Sequence, residues 1–373
     1  RVRSSAASDV YKRQIWMSKE LAIISNDEEK KPSRKNTNAV SKQTEYDRGF
    51  ENNIRPKTFD EYIGQTHLKE TLKITILAAQ KREQPLDHLL FYGPPGLGKT
   101  TLASVIANEM GSNIKITSAP ALERPRDIIG ILMSLKDGDV LFIDEIHRLN
   151  KIAEEILYSA MEDFFIDMTT GKTQTSKSIR IPTAKFTLIG ATTKAGALSG
   201  PLRDRFGIVH RLEFYTMEEL EDVISRTAGI LDVKITEDGA KTIALRSRGT
   251  PRIANRLVKR VRDYAIVKSD GIIDEKTAKS SLDLLKIDPL GLDTTDIALL
   301  RLIIEKYNGG PVGIETLSAA LGEDIKTIED VYEPFLIQAG LILRTPRGRK
   351  ASAEAYRHLK YKLPSQQVGL FDE

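Results

Sequence analysis

The chain has 373 residues, 40% of them hydrophobic and 29% charged, with a formal net charge of +4. That is enough for two or three domains with their own cores, and the composition is that of an ordinary soluble protein. Cysteine is absent and the five histidines show no ligand spacing, which excludes disulfides and thiolate metal sites; no apolar run reaches the length of a membrane span, so the expected location is the cytoplasm.

Residues 1–16 set Arg1, Arg3, Lys12 and Arg13 against Asp9, four minus one, or +3 of the +4 total. The stretch has no apolar period, precedes Met17 and reads as extraneous to the gene. The rest of the chain is nearly neutral, so any case for nucleic acid must be made locally. Residues 17–50, rich in Lys, Glu, Asn and Ser, read as the remainder of a mobile tail (1–50), and order is expected from about Ile54-Arg55-Pro56. From 51 to 216, apolar strands at Leu89–Tyr92, Ile114–Thr117, Val140–Ile143 and Phe186–Ile189 alternate with helical segments such as Ala153–Met161. That pattern predicts an α/β domain, a mostly parallel sheet covered by helices on both faces. Asp163 to Ile181 interrupts it with an alternating Phe165, Asp167, Thr169 around Gly171-Lys172, which reads as an inserted β-hairpin at about 163–181. Residues 217–287 read as helical throughout, a small lid domain, with Leu220, Val223, Ile224 and Leu231 on one helix face and Ile253, Leu257, Val261 and Tyr264 on another. After the turn Asp288-Pro289-Leu290-Gly291, residues 288–363 show three short helical patterns, a strand at Leu341–Leu343 and a turn at Pro346-Arg347-Gly348. A winged helix-turn-helix is expected there, with Pro334 kinking or ending its third helix and 364–373 left as a tail.

The densest chemistry lies at Gly93-Pro94-Pro95-Gly96-Leu97-Gly98-Lys99-Thr100, a full match to GxxxxGK[ST] between a strand and a helix. Such a loop turns its N–H groups onto phosphates, with Lys99 reaching the β- and γ-phosphates and the Thr100 hydroxyl available to Mg²⁺. Asp144 and Glu145 end the strand Val140–Ile143, where a metal partner and a water-orienting carboxylate would stand beside that loop. His147 reads as a helix-surface residue. Gly190-Ala191-Thr192-Thr193 ends another strand with hydroxyls that suit either a γ-phosphate sensor or plain turn chemistry. Leu202-Arg203-Asp204-Arg205 is a basic loop that, read alone, is a structural pair with Asp204 or an arginine for a phosphoryl-transfer transition state. Thr250 and Pro251 fit the N-cap and first position of a helix, which leaves Arg252 in a turn unfavourable for a cation unless an anion lies near. Arg344, Arg347, Arg349 and Lys350 make a four-cation turn suited to DNA phosphates or to solvent.

These motifs, in this order, resemble the AAA+ ATPases and, within them, the bacterial motors that drive Holliday-junction branch migration. The residues that carry the likeness are IRPK from Ile54, YIGQ from Tyr62, GPPGLGKTTLA from Gly93, LFIDEIHRLN from Leu141, TLIGATT from Thr187, PLRDRFG from Pro201, RLEFY from Arg211, RGTPRIANRL from Arg248, GGPVG from Gly309 and RTPRGR from Arg344. The resemblance covers about residues 51 to 360. It implies that Ile54 and Arg55 contact the adenine side, that Gly96, Gly98, Lys99, Thr100 and Thr101 hold phosphates and Mg²⁺, and that Asp144 and Glu145 are metal partner and catalytic base. Glu162, Asp163, Phe164 and Tyr215 would also line the nucleotide site. Thr193 would be the first sensor, Arg252 the second, and Arg205 an arginine finger offered to a neighbouring subunit. Arg344 and Arg349 would touch DNA, and the hairpin after Asp163 would dock on RuvA. The implied activity is ATP-driven pumping of duplex DNA by a homohexameric ring in recombination and repair, with ATP and Mg²⁺ as cofactors and RuvC in the resolving complex. The alternatives are a nucleotide-gated DNA-binding regulator and a clamp-loader-like ATPase.

Overall fold

The structure is a computed structural model that describes residues 54–170 and 177–363. The central sheet has five strands, β1 Leu89–Tyr92, β2 Ile114–Ser118, β3 Val140–Asp144, β6 Thr187–Thr192 and β7 Ile208–Arg211, all parallel, in the order β2-β3-β6-β1-β7. The hairpin β4 Phe165–Thr170 and β5 Lys177–Pro182 stands outside it, antiparallel, pairing Phe165 with Pro182 and Asp167 with Arg180. The expected turn at Gly171-Lys172 lies outside the described residues.

Side chains along each central strand divide between two cores, as a period of two requires. Leu89, Phe91, Val140, Phe142, Ile189 and Ala191 face helices α1 Thr66–Arg82 and α2 Lys99–Glu109. Leu90, Leu141, Ile143 and Leu188 face α3 Pro125–Met133 and α4 Lys151–Glu162, together with the short α5 Gly200–Arg203. Burying one such side chain contributes about 1.5–3 kcal/mol, so both layers are needed to hold the sheet. The fifth strand, β7, gave no sequence signal. It is an edge strand whose residues are all partly or fully exposed, and His210 and Arg211 break the apolar run.

Residues beyond Tyr215 form α6 Met217–Ile230, α7 Glu237–Leu245, α8 Pro251–Lys268 and α9 Glu275–Leu284. A capping box starts α6: Thr216 accepts from the Glu219 N–H while Glu219 accepts from the Thr216 N–H. The expectation of helix throughout needs one correction, because β8 Lys234–Ile235 and β9 Ile272–Ile273 pair in parallel and join the loops before α7 and α9.

The last segment contains α10 Thr294–Arg301, extended by a wide turn over Leu302–Lys306, and α11 Ile314–Leu321. A third helix runs from Ile325 to Gln338, and the antiparallel wing is β10 Ile342–Thr345 with β11 Gly348–Ala351. Pro334 does not end the third helix. The wide turn at Ile328–Tyr332 carries the chain past a ring that offers no N–H, and helix resumes at Glu333–Gln338. These elements close on their own core of Leu299, Ile303, Leu317, Leu336 and Ile342.

Candidate nucleotide site and its links to the winged helix

Register brings the carboxyl ends of β1, β3 and β6 to one edge of the sheet, since Tyr92 pairs with Thr192 and Ile143 with Gly190. The Gly93–Thr100 loop, Asp144-Glu145 and Thr192-Thr193 therefore leave the sheet side by side, where open parallel sheets hold ligands. The Gly93 N–H donates to the Thr192 carbonyl at 3.2 Å, tying the loop to β6.

Two glycines shape the loop. Gly96 and Gly98 have φ of 86° and 91°, and a Cβ on either would come within 3.3 Å of Arg252 Cβ or Tyr62 Oη respectively. Gly98 caps α2, whose unpaired N–H groups and positive pole face the loop. Lys99 is buried, and its Nζ donates to the carbonyls of Gly93 at 2.8 Å and Pro94 at 2.9 Å. Burial pulls the ammonium down to about 8, and the nearby Asp144 carboxylate works against that shift. Thr100 and Thr101 lie half-buried in the first turn of α2.

Asp144 Oδ1 accepts from the Glu145 N–H at 2.9 Å. Glu145 sits in the left-handed region with φ 50°, and its carboxylate pairs with Arg148 at 2.7 Å. His147, read from sequence as a surface residue, is half-buried in the turn Ile146–Arg148, and its Nδ1 lies 2.8 Å from the Thr192 hydroxyl. Burial lowers the imidazole's pKa, which favours the neutral ring. The Thr192 hydroxyl also accepts from the Lys194 N–H at 3.0 Å. Thr192 thus binds the loop, the Asp144-Glu145 turn and the segment that carries exposed Thr193. The sequence offered the hydroxyls of Thr192 and Thr193 together, and the family resemblance singled out Thr193.

Tyr215 and Tyr62 bring their hydroxyls to 3.3 Å beneath Gly98. Burial pushes Tyr62 up to about 12 and moves Tyr215 in the same direction, so both stay neutral. Ile54 is buried, and its carbonyl accepts from Arg226 of α6 at 2.7 Å, which holds Ile54 and the half-buried Arg55 against the lid. Arg252 opens α8 against the loop, with its N–H 3.4 Å from the Gly96 carbonyl. Thr250 occupies the N-cap, but its hydroxyl donates back to the Ser247 carbonyl at 3.2 Å instead of capping the helix.

Arg205 does not pair with Asp204. Its Nη2 reaches Glu162 at 2.8 Å, its Nη1 reaches the Pro201 carbonyl at 2.7 Å, and its guanidinium lies 4.7 Å over the Tyr158 ring. Asp163 ends α4, and Phe164 follows at φ 55° with its ring edge-on to Phe186 at 6.3 Å.

On the wing, Arg344 is exposed, 3.5 Å from Glu329. Arg349, expected beside it on DNA, is drawn inward: its Nε and Nη2 reach the buried Glu333 at 2.8 and 2.9 Å, and its Nη2 reaches Glu329 at 3.1 Å. Two acids one helical turn apart, on the helix behind the wing, account for that. The wing's helix also touches the sheet edge, because Asp330 pairs with Lys194 at 3.0 Å.

Among the described residues no group of three or more His, Cys, Asp or Glu forms a metal cage. The Thr100 hydroxyl and the Asp144 carboxylate are hard oxygen donors, the set that suits a Mg²⁺ ion completed by phosphates and water. No helix among the described residues is long and apolar enough to cross a membrane.

Three family models match consecutive segments: the Holliday junction DNA helicase RuvB P-loop domain over residues 54–212, the RuvB AAA lid domain over 215–288, and the RuvB C-terminal winged helix domain over 289–360. The Holliday junction branch migration complex subunit RuvB of Nostoc punctiforme is 57% identical over 332 residues, 89% of this chain and 90% of that protein. Its counterpart from Crocosphaera subtropica is 55% identical over 343 residues, 92% and 97% of the two chains. The solved Thermotoga maritima RuvB Holliday junction branch migration motor superposes with a TM-score of 0.76 at 51% identity, covering 84% of this chain and 100% of that one. A phosphate loop, a helical lid and a winged helix in this order, matched along most of the chain, place it in the RuvB family of AAA+ ATPases.

Proposed function

We propose that this chain is the subunit of an ATP-driven motor that moves duplex DNA through a Holliday junction in homologous recombination and repair. The observation that carries the reading is the convergence of Lys99, Asp144-Glu145 and Thr192-Thr193 at one sheet edge, with Arg252 of the lid lying on the loop. The loop N–H groups and Lys99 hold the phosphates, Thr100 and Asp144 hold Mg²⁺, and Thr101 and Gly98 complete the cradle. Bound Mg²⁺ would neutralise phosphate charge. Glu145 orients and deprotonates the attacking water once it turns from Arg148, and Thr193 senses the γ-phosphate. Ile54 and Arg55 take the adenine side, and Tyr215 lines the nucleotide site.

Arg205 acts on the nucleotide of the next subunit in a homohexameric ring. Its partner Glu162 is the last residue of α4, followed in the chain by Asp163 and Phe164. The domain division in this reading is 51–216, 217–287 and 288–363. The hairpin after Asp163 docks on RuvA, Arg344 meets DNA phosphates, RuvC joins the resolving complex, and the motor works in the cytoplasm. Lys99→Ala removes the cation that reaches the phosphates, so ATP turnover should vanish. Undiminished hydrolysis in that variant would sink the site assignment.

A further inference from the structure

Arg248 precedes the turn that rests on the nucleotide loop, yet its side chain leaves the lid. It sits at φ 52°. Downstream, the Gly249 carbonyl accepts from the Tyr215 N–H at 2.9 Å, and Arg252 meets Gly96. Among the described residues, the guanidinium binds groups beyond residue 288. Its Nε donates to the Gly291 carbonyl at 2.7 Å, and its Nη2 pairs with Asp296 and lies 3.3 Å from Asp293. The cation also lies 5.0 Å over the Phe335 ring. Asp293 caps α10 and Phe335 belongs to the third helix, so one side chain grips two helices of the winged helix.

The grip is dry. The Arg248 side chain is 12% exposed and the Asp296 carboxylate 0%. The connection between the domains is also ordered. The Asp288 N–H donates to the Leu292 carbonyl at 3.0 Å and the Gly291 N–H to the Asp288 carbonyl at 2.9 Å. A Cβ on Gly291 would fall 2.6 Å from the Arg246 carbonyl, so this turn packs directly on the segment before Arg248. The winged helix meets the sheet domain more loosely, through the Lys194–Asp330 pair, in which both side chains are about half exposed to screening water.

We infer that Arg248 is a positioning residue that clamps the winged helix to the nucleotide-contacting turn, so that lid and winged helix move as one body and a displacement at the phosphates is delivered to DNA. The inference rests on the motor reading and adds to it the element that couples its two ends. An isolated regulator domain would need no buried fork joining this turn to two helices of the winged helix.

The test measures, in the full chain, ATP affinity, basal ATP hydrolysis, duplex affinity, melting temperature and junction migration per ATP hydrolysed. Arg248→Lys keeps the charge, but a point ammonium cannot span Gly291 and both carboxylates, so it should not rescue coupling. Asp296→Asn removes the buried charge while keeping the shape. Both should leave ATP affinity, basal hydrolysis and duplex affinity within about two-fold while migration per ATP falls about ten-fold or more, and the double variant should be no worse than either single one. Phe335→Leu, which removes only the ring beneath the cation, should lower the same ratio and is the variant to read where Arg248→Lys does not fold. Unchanged migration per ATP, or hydrolysis and migration falling in equal proportion, would overturn the clamp. A wild-type chain that hydrolyses ATP without moving the junction would overturn the motor reading itself, and the wild-type control tells the two failures apart.

Discussion

Lys99 is held between two carbonyls in a buried loop, and burial brings its ammonium down to about 8. Polyanionic phosphates arriving at that nitrogen favour its charged form and raise the value again. ATP binding at pH 8.5 should therefore take up protons, visible in calorimetry as a heat that varies with buffer ionisation enthalpy, and Lys99→Arg should remove the dependence. His88 works in the opposite sense. Its Nδ1 accepts from the Leu188 N–H at 2.9 Å, so its Nε2 carries the proton to the Met161 carbonyl at 3.1 Å. The ring is neutral in the fold, and burial lowers its pKa below the ordinary 6.5. The unfolded chain binds the extra proton first, so stability drops as pH falls below about 6.5 and keeps falling until the folded-state value is passed. His88→Gln should flatten that part of the melting-temperature profile, and an unchanged profile would refute the assignment. Lys99 was plain in the sequence because its loop is a contiguous motif. His88 was not, because its partners lie 100 and 73 residues away.

At the scale of elements, β1 and β3 were legible as short apolar runs between turn signals, α6 by its period, and α8 by its period together with Thr250 and Pro251 at its start. The edge strand β7 and the two-residue pair β8 and β9 were not, since half-exposed or very short strands carry no run. The wing was legible as a hairpin, but the fates of its arginines were not. Those depend on Glu329 and Glu333, 20 and 16 residues upstream of Arg349, which meet it only when the third helix packs behind the wing. The two arginines should consequently separate. Arg349→Ala leaves Glu333 buried without its cation, a loss of about 3–5 kcal/mol that should appear as a lower melting temperature of the winged helix. Arg344→Ala, at an exposed position, should spare stability, weaken duplex binding across sequences and reduce the salt slope by about one. Equal effects of both on stability would show that the inward pairing of Arg349 is not what holds the wing.

For the whole molecule, the order of phosphate loop, lid and winged helix could be read from motif spacing, because each domain is contiguous in the chain. The contacts between domains could not. Lys194–Asp330 joins residues 136 apart in number (330 minus 194), and nothing local marks either one. The same holds for Arg205, whose surroundings (Glu162, Pro201 and the Tyr158 ring) replace the local partner suggested by Asp204. Arg205→Ala should bind ATP normally and lose on the order of 10³-fold in hydrolysis. Mixed with Lys99→Ala, it should regain activity, because the intact Arg205 of a Lys99→Ala subunit completes a neighbouring site that keeps its own Lys99. A mixture as inactive as its parts would place the finger in cis.

In this reading the nucleotide site drives DNA. The most direct test is branch migration of a synthetic four-way junction with Mg²⁺ and ATP, with and without RuvA, and with Lys99→Ala as control. ATP-dependent resolution into duplex arms, strengthened by RuvA and absent in the variant, is the predicted result. Steady ATP hydrolysis with a junction that never moves would contradict it.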